Sequence, residues 1–339
     1  MLVLLLLFSE TSRSSPAASA YNSLQYSMLA NRPEGRGRPN EDWTCRAVAS
    51  GPQSREAHQP MGLLLITLLA DRGGTVGPTP DIHTGHPSVD VVIPVLNEAH
   101  VLAESVSTVR AFLNQHLPYE SRVLIVDNGS TDGTDRVGQN LERQYQDVEY
   151  LQLAQRGRGR ALRHAWNHSN ADVVCYTDVD LSTEMRALPI LVDAILNDGY
   201  DLGTGSRLMK DSRTTRSLKR EIISRGYNLL VKAVLWTSFS DAQCGFKVVS
   251  RRVVDDIVPQ IKDESWFFDT ELLVLAEKRG YRIKDLPVVW IEDDDSRVKV
   301  VSTAWEDVKG VMRLRWGFLL EAIGYRNRGE LAEPKRILP

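Results

Sequence analysis

The sequence contains no long uninterrupted hydrophobic run. Its two apolar stretches, Leu2 to Phe8 and Gly62 to Ala70, are both shorter than the roughly 20 residues that a membrane-spanning helix needs. The first stretch is not preceded by the basic residues that open a secretory signal peptide. We therefore expect neither a spanning helix nor a signal peptide.

Cysteine and net charge are also scarce. The three cysteines, Cys45, Cys175 and Cys244, show neither the spacing of metal ligands nor a disulfide framework, which suits a reducing compartment. The formal net charge is -3, so no overall positive field favours nucleic acid as a partner. Hydrophobic residues make up 42% of the chain and charged residues 25%, which is typical of a globular protein.

The chain divides by composition into three parts. Residues 1–86 contain Arg-, Gly-, Pro- and Ser-rich stretches without hydrophobic periodicity, which predicts a flexible or disordered N-terminal extension. In residues 87–325, β-branched runs such as Val89 to Val95 alternate with helical periodicity. This alternation predicts a single α/β domain with a Rossmann-like, mostly parallel sheet sandwiched by helices. Residues 326–339 form the predicted C-terminal tail.

The pattern becomes less regular after Leu218. A long amphipathic helix is predicted from Lys219 to Trp236, and the stretch from there to Lys247 shows no regular pattern. Farther along, the periodicity predicts a helix from Phe268 to Lys278 and a strand from Tyr281 to Val289. A last helix is predicted from Thr303 to Leu320.

Acidic and amide side chains follow three predicted buried strands, at the point where each strand ends. The clusters are Asn97-Glu98, the segment from Asp127 to Thr134, and Asp178-Val179-Asp180. Because ligands bind at the carboxyl ends of parallel strands, we expect one shared site. The i, i+2 spacing of the last pair lets both carboxylates face one Mg²⁺ or Mn²⁺, which often combines protein carboxylates with substrate phosphates. The same pair is common in solvated turns, but its position after a buried strand favours the metal site.

Two neighbouring segments are open to more than one interpretation. Asp127 is placed to accept a hydrogen bond from a base or a ribose, and Gly129 permits close backbone approach, yet the same pattern is typical of an Asx-turn before a helix. The segment from Arg156 to Arg160 either neutralises phosphates or forms a solvated basic loop.

Taken together, these motifs resemble the family 2 inverting glycosyltransferases of the GT-A fold. The resemblance rests on Pro94-x-x-Asn97-Glu98, Asp127 to Thr134, the basic Gly loop at 156–160, and Asp178-x-Asp180. Further motifs are similar to those of polyprenyl-phosphate sugar transferases, especially dolichyl-phosphate β-glucosyltransferases, with the mannosyltransferases close by. These motifs are Gly205 to Arg207, Arg220 to Arg225, Asp241 to Lys247, Trp266 to Leu273 and Pro287 to Trp290. The resemblance covers nearly the whole domain but none of the N-terminal extension.

The resemblance implies a role for each matched position. The residues implied in nucleotide binding are Pro94, Asn97, Glu98, Asp127, Gly129, Arg156, Arg158 and Asp178, and the implied metal ligands are Asp178 and Asp180. The residues implied around the acceptor phosphate, the diphosphate and the sugar are Arg207, Arg220, Arg225, Gln243, Asp269 and Glu271. One departure is visible, because the family often has a lysine in the Gly loop where this chain has arginine. An arginine keeps the charge but replaces a compact ammonium by a planar fork.

A phosphate acceptor fits this supply of cations. A phosphomonoester is already largely anionic at neutral pH, so it can attack the anomeric carbon without a strong base. It needs cations that hold two phosphate groups close together, and arginines pair with phosphate bidentately. A sugar hydroxyl acceptor would instead need a base, for which Asp269 is the candidate.

The sequence therefore predicts metal-dependent, inverting transfer of a hexose from a nucleotide sugar to polyprenyl or dolichyl phosphate. UDP-glucose is the favoured donor because Trp266 to Leu273 and Val288 to Trp290 look most like the glucosyl enzymes. The alternatives are a GDP-mannose-dependent mannosyltransferase, a transferase acting on a glycan hydroxyl, and a nucleotide-sugar-binding protein without activity.

A lipid acceptor raises the question of membrane contact. The helix from Lys219 to Trp236 and the apolar residues of Val311 to Tyr325 could lie on a bilayer surface, although core packing explains such stripes more often. We expect a cytoplasmic protein, peripheral on the cytoplasmic face of the membrane, and the sequence does not indicate its oligomeric state. Ser296 to Lys299 resembles a mobile loop that closes on donor or acceptor.

Overall fold

The computed structural model describes residues 86–291 and 300–324. The chain divides into two units, residues 1–82 and 83–339, and the first lies outside the described residues. The predicted loop at Ser296 to Lys299 and the tail at 326–339 also lie outside them. The boundary at residue 86 therefore stays a prediction.

A seven-stranded sheet forms the centre of the described domain. Its strands are β1 (Ser88–Val95), β2 (Glu120–Asp127), β3 (Val148–Gln152), β4 (Val173–Thr177), β5 (Leu202–Ser206), β7 (Phe246–Ser250) and β8 (Ile283–Pro287). Their spatial order is β3-β2-β1-β4-β7-β5-β8. Two short strands, β6 (Arg213–Thr215) and β9 (Val289–Ile291), pair separately.

Helices cover both faces of this sheet. They are α1 (Leu102–His116), α2 (Thr134–Gln144), α3 (Arg158–His168), α4 (Ala187–Leu196), α5 (Leu218–Leu235), α6 (Arg251–Ile257), α7 (Phe268–Lys278) and α8 (Val300–Ala322), with a 3-10 turn at Val258–Gln260. Within 86–291 and 300–324, none of them has the length and apolar character that crossing a bilayer requires.

Alternation along the strands produces two hydrophobic cores. Val91 and Ile93 of β1 face the core that contains α1 and α4, whereas Val92 faces the core that contains α3, α7 and α8. Successive side chains of a strand point to opposite faces, so a strand covered on both faces must be apolar throughout. This explains the uninterrupted β-branched runs in the sequence, and it confirms the predicted layered α/β architecture.

The prediction for the region after Leu218 needs two corrections. The apolar residues that follow the irregular stretch form β7, which lies antiparallel between β4 and β5, and α6 follows directly; neither element was predicted. The strand predicted from Tyr281 to Val289 is divided into β8 and β9. The first of these ends at Pro287, which has no N–H to continue a ladder.

Candidate active site

The ends of β1 and β2 are joined by side chains from both polar clusters. Val95 and Asp127 are register partners at the last position of the two parallel strands. Asn97 Oδ1 accepts from the Thr131 N–H at 2.8 Å, and the Asn97 N–H donates to Ser130 Oγ at 2.9 Å. Asn97 has a φ of 59°, a left-handed conformation that asparagine adopts more readily than most residues. The expected meeting of these clusters at one sheet edge is therefore observed.

Asp127 is fully buried and both of its carboxylate oxygens have protein donors. The Ser130 N–H donates to Oδ1 and the Tyr150 hydroxyl donates to Oδ2, each at 2.8 Å. Burial, and then the hydrogen bond to Asp127, raise the pKa of Tyr150, so the phenol remains a donor. The Asx-turn interpretation thus describes part of what Asp127 does, and its contact with a nucleoside stays a prediction.

The other nucleotide-site predictions lie around the same edge. Pro94 is half-buried in β1 and Glu98 is half-buried just beyond it, where its N–H donates to Thr134 Oγ1 at 2.9 Å. Gly129 has a φ of +80°, and a Cβ there would meet the Ala154 carbonyl at 3.5 Å.

The basic Gly loop is tied to the β2 end by Asn128. The buried Asn128 side chain accepts from the Gly157 N–H at 2.7 Å. Gly157 has a φ of +148°, and a Cβ there would lie 2.5 Å from the Glu264 carbonyl oxygen, so the close approach requires glycine. Arg156 is exposed at the start of this loop.

Arg158 bridges two of the predicted site carboxylates. Its Nη1 donates to Asp269 at 2.7 Å and its Nη2 donates to Asp178 at 2.6 Å. The guanidinium carbon also lies 4.8 Å from the ring centroid of Tyr176 and 5.0 Å from that of Trp266. Although burial opposes the charge, the nearby carboxylates raise the pKa of Arg158 well above its ordinary value. The permanently charged guanidinium of Arg158 therefore links the two carboxylates.

The environment of Asp178 and Asp180 suits a cation that takes most of its ligands from substrate. The Asp178 side chain is 36% exposed, and Asp180 is exposed, with Oδ1 accepting from the Ser182 N–H at 3.0 Å. Within residues 86–291 and 300–324, no group of three or more His, Cys, Asp or Glu side chains could hold a metal. Two carboxylates completed by diphosphate oxygens and water are an ordinary environment for Mg²⁺, so the donor set fits the predicted ion.

Gly245 limits the position of the Asp178 carboxylate. A Cβ at this residue would lie 1.7 Å from Asp178 Oδ2, which is far inside van der Waals contact. Gly245 immediately precedes β7, and β7 pairs with β4, the strand that leads into Asp178. The absence of a side chain at this position therefore allows the carboxylate to occupy its observed place.

Asp269 and Lys247 complete the buried part of the site. Lys247 is fully buried, and its Nζ donates to the Cys244 carbonyl at 2.8 Å and lies 3.8 Å from Asp269 Oδ1. That oxygen is buried and has no hydrogen-bond partner among the described residues. Asp269 thus faces cations on both sides, with Arg158 at one oxygen and Lys247 near the other.

Arg207 is held rigidly by a buried carboxylate. Its Nε and Nη2 donate to Asp241 at 2.8 and 3.0 Å. Asp241 is fully buried, and despite that burial the guanidinium and further hydrogen bonds lower its pKa to about 2. The pair therefore stays ionised at neutral pH, and Arg207 provides a fixed positive charge.

Two other predicted residues have contacts elsewhere. Glu271 is buried and accepts from the Asp263 N–H at 2.9 Å and from Arg313 at 2.7 Å, which ties α7 to the preceding loop and to α8. Arg225 is 59% exposed and pairs with Glu221 on α5. The structure does not join Arg225 or Glu271 to the carboxylates bridged by Arg158, and their roles stay predictions.

The remaining two predicted residues lie on α5 and in the segment before β7. Arg220 is half-buried on α5. The Gln243 side chain donates to Asp307 at 2.6 Å. Sequence reasoning assigned no role to Asn128, Tyr150, Asp241, Gly245, Lys247 or Asp307. Asn128, Asp241, Gly245 and Lys247 lie within the motifs, which was a signal for them, whereas Tyr150 in β3 and Asp307 in α8 lie outside every motif.

Comparisons with known proteins agree with this geometry. The family model described as Glycosyl transferase family 2 matches residues 90–258. A dolichyl-phosphate beta-glucosyltransferase of Dictyostelium discoideum is 30% identical over 245 residues, which are 68% of this chain and 75% of that protein. The protein of the same name in Saccharomyces cerevisiae is 28% identical over 251 residues, with coverage of 68% and 75%. Glycosyltransferase AglD of Haloferax volcanii is 34% identical over 230 residues, but these are 67% of this chain and only 37% of AglD.

Solved structures share the fold. Glucosyl-3-phosphoglycerate synthase from Mycobacterium tuberculosis, crystallised with Mn²⁺, UDP and glucosyl-3-phosphoglycerate, has a TM-score of 0.53 at 16% identity, covering 69% of this chain and 81% of that chain. The predicted family and fold class are thus confirmed. The chain belongs to glycosyl transferase family 2 and is a glycosyltransferase.

Proposed function

We propose that this protein transfers glucose from UDP-glucose to dolichyl or another polyprenyl phosphate, with inversion at the anomeric carbon and with Mg²⁺ or Mn²⁺. The observation that supports the proposal most is that Arg158 donates to both Asp178 and Asp269. The first is the predicted metal ligand, and the second is the residue predicted to lie at the reaction centre. The relatives named dolichyl-phosphate beta-glucosyltransferase support this acceptor and this sugar.

The divalent ion would be held by Asp178 and Asp180 and would neutralise the charge that develops on the departing diphosphate. The other contributions to the reaction come from the protein's own residues. A phosphate oxygen of the acceptor forms the new bond to the anomeric carbon while the bond to UDP breaks, and UDP leaves with the electron pair. The fixed charge of Arg207 lowers the repulsion between the acceptor and the diphosphate.

A phosphate nucleophile needs no general base, so Asp269 can be paired closely with Arg158 and Lys247. Its Oδ2 accepts from Arg158 at 2.7 Å, and Lys247 lies near the other oxygen. Both oxygens already face side chains of the protein, so this geometry is unfavourable for a general base, which must reach the proton that it removes. A glycan hydroxyl acceptor, which needs such a base, fits the site less well than a phosphate does.

The lipid chain of the acceptor calls for an exposed apolar surface on the protein. Such residues lie on α5 and α8, which pack against each other. Together they expose the large apolar side chains Leu218, Ile222, Leu229, Trp236, Trp305, Met312, Trp316, Leu319 and Ile323. Exposed apolar side chains on two packed helices, with Arg220 and Arg225 on α5, suit the boundary between headgroups and acyl chains. The proposal therefore includes peripheral contact with the cytoplasmic face of a membrane.

The test uses the purified full chain with Mg²⁺ or Mn²⁺, a short polyprenyl phosphate, and labelled UDP-glucose or GDP-mannose. Label from UDP-glucose should enter an organic-soluble, acid-labile product. If only GDP-mannose supplies label to this product, the donor is GDP-mannose and not UDP-glucose. If label enters only water-soluble glycan, the acceptor is a glycan hydroxyl and not a lipid phosphate. Nucleotide binding without turnover would refute the activity. Asp180→Ala should abolish turnover, whereas Asp255→Ala, which removes a carboxylate that is 67% exposed on α6, should not.

A further inference from the structure

Asp307 is a buried carboxyl group that lies beside the proposed sugar site. It belongs to α8 and is only 3% exposed. Its Oδ2 accepts from Gln243 Nε2 at 2.6 Å, and its buried Oδ1 has no hydrogen-bond partner among the described residues. Leaving such an oxygen buried is costly, so a structural role alone does not explain the choice of a carboxyl group here.

The surroundings of Asp307 are mainly acidic. Burial, followed by the charges of Asp263, Asp269 and Glu306, raises its pKa to about 6. Three elements contribute these groups: the loop before α7, α7 and α8 itself. The phenol of Tyr227 on α5 also faces Asp307, and Glu306 is paired with Lys309 at 2.8 Å. The group therefore exchanges its proton near neutral pH.

The backbone of Gln243 is anchored, so its side-chain amide is the part that can reorient. The Gln243 N–H donates to Asp241 Oδ1 at 3.1 Å, and Asp241 is itself held by Arg207. Two residues farther on, Gly245 contacts Asp178. The Gln243 side chain is half-exposed, which leaves one end of its amide accessible to a ligand.

Asp307 and Gln243 differ in their hydrogen-bonding capacity. An ionised carboxylate only accepts, whereas a carboxamide has a donor end and an acceptor end. Ionised Asp307 therefore holds Gln243 Nε2 and leaves the Gln243 carbonyl oxygen facing away from it. A protonated Asp307 can donate to that oxygen instead, which permits the reversed amide.

We infer that Asp307 is a positioning residue that sets which end of the Gln243 amide meets the donor sugar. With Asp307 ionised, the Gln243 carbonyl accepts from a sugar hydroxyl; with the amide reversed, an NH₂ group stands in its place and that hydrogen bond is lost. This inference rests on the proposed function, because it assumes that Gln243 lies at the donor sugar.

The experiment compares kcat and KM for UDP-glucose between pH 5 and pH 8.5 in the wild type, Asp307→Asn and the control Asp255→Asn. Asp255 lies on α6 with a side chain that is 67% exposed, whereas the charges that raise the pKa of Asp307 are those of Asp263, Asp269 and Glu306. Asparagine both donates and accepts, so Asp307→Asn should be about tenfold less active than the wild type and the control at pH 8. This ratio of kcat/KM should fall towards one as the pH drops through about 6, and protonation of the acceptor phosphate in the same range cancels in the ratio.

A double-mutant cycle with Gln243→Ala separates positioning from folding. If Asp307 acts through Gln243, adding Asp307→Asn to Gln243→Ala should change kcat/KM by less than about twofold. Additive losses, or an Asp307→Asn profile identical to that of the wild type, would overturn the inference while leaving the transferase activity established. Absence of wild-type turnover would instead refute the proposed function.

Discussion

Gly245→Ala tests the link between the backbone at β7 and the proposed metal ligand. The new Cβ would be placed 1.7 Å from Asp178 Oδ2, whereas a carbon and an oxygen approach to about 3.3 Å. The carboxylate must therefore move by about 1.5 Å, and a displacement of about 1 Å at a reacting centre can cost about 100-fold in rate. The 2.6 Å hydrogen bond that Arg158 donates to the other oxygen, Oδ1, has to adjust to this movement. We expect kcat/KM to fall at least about 100-fold.

The stability of this variant should change much less than its activity. The obstructing atom is the end of a side chain, which can rotate, so we expect a loss of about 1–2 kcal/mol in the free energy of unfolding. Gly317→Ala in α8 is the matched control, because nothing lies within 4 Å of a Cβ there. That change should leave activity intact and stabilise the helix by about 0.5–1 kcal/mol.

The assay combines steady-state kinetics with Mn²⁺ titration in the presence of UDP, followed by the loss of the free-ion signal in electron paramagnetic resonance. Gly245→Ala should weaken Mn²⁺ binding and Gly317→Ala should not. Unchanged Mn²⁺ affinity and turnover in a folded Gly245→Ala protein would refute the assignment of Asp178 as a metal ligand.

Three further changes probe the buried charges. Asp307→Asn should raise the free energy of unfolding at pH 8 by about 1.5–3 kcal/mol, because a carboxyl whose pKa rises from 3.8 to about 6 on folding costs stability above that value. The gain should vanish near pH 4 in urea titrations, and an equal gain at both pH values would contradict it. Asp241→Ala leaves the Arg207 guanidinium buried without its partner, so urea unfolding should show a loss of about 3–5 kcal/mol; a loss below about 1 kcal/mol would count against a buried pair. Arg158→Lys keeps the charge and should retain kcat/KM within about tenfold, whereas Arg158→Gln should lose about 100-fold or more; similar kinetics for both would show that the charge is not required.

The layered domain and much of the sheet edge were predictable from local pattern. The helix predicted from Phe268 to Lys278 has the observed bounds. The polar clusters after β1, β2 and β4 were expected to meet, since parallel neighbours end at one edge. β7 was not predicted, because it has few residues and its antiparallel pairing depends on strands far away in the chain.

Contacts of individual side chains were less predictable. Asp127 was considered as a nucleoside ligand or a turn residue, but its partner Tyr150, 23 positions away, is chosen by the pairing of β2 with β3. Arg158 lay in a recognised loop, yet its bridge to Asp269 spans 111 positions. No periodicity or spacing reports a contact at that separation.

The sequence by itself determined the family and the alternation of strands and helices as far as β5, and it indicated where acidic side chains follow buried strands. These properties depend on residue types a few positions apart, which set backbone conformation and the direction of each side chain. Only the tertiary structure decided which charges are paired, that Gly245 lies against Asp178, and that Asp307 is buried next to Gln243. Those contacts arise when β7, α7 and α8 pack around the end of β4, and burial there sets both the pairing and the proton affinity of the charged groups.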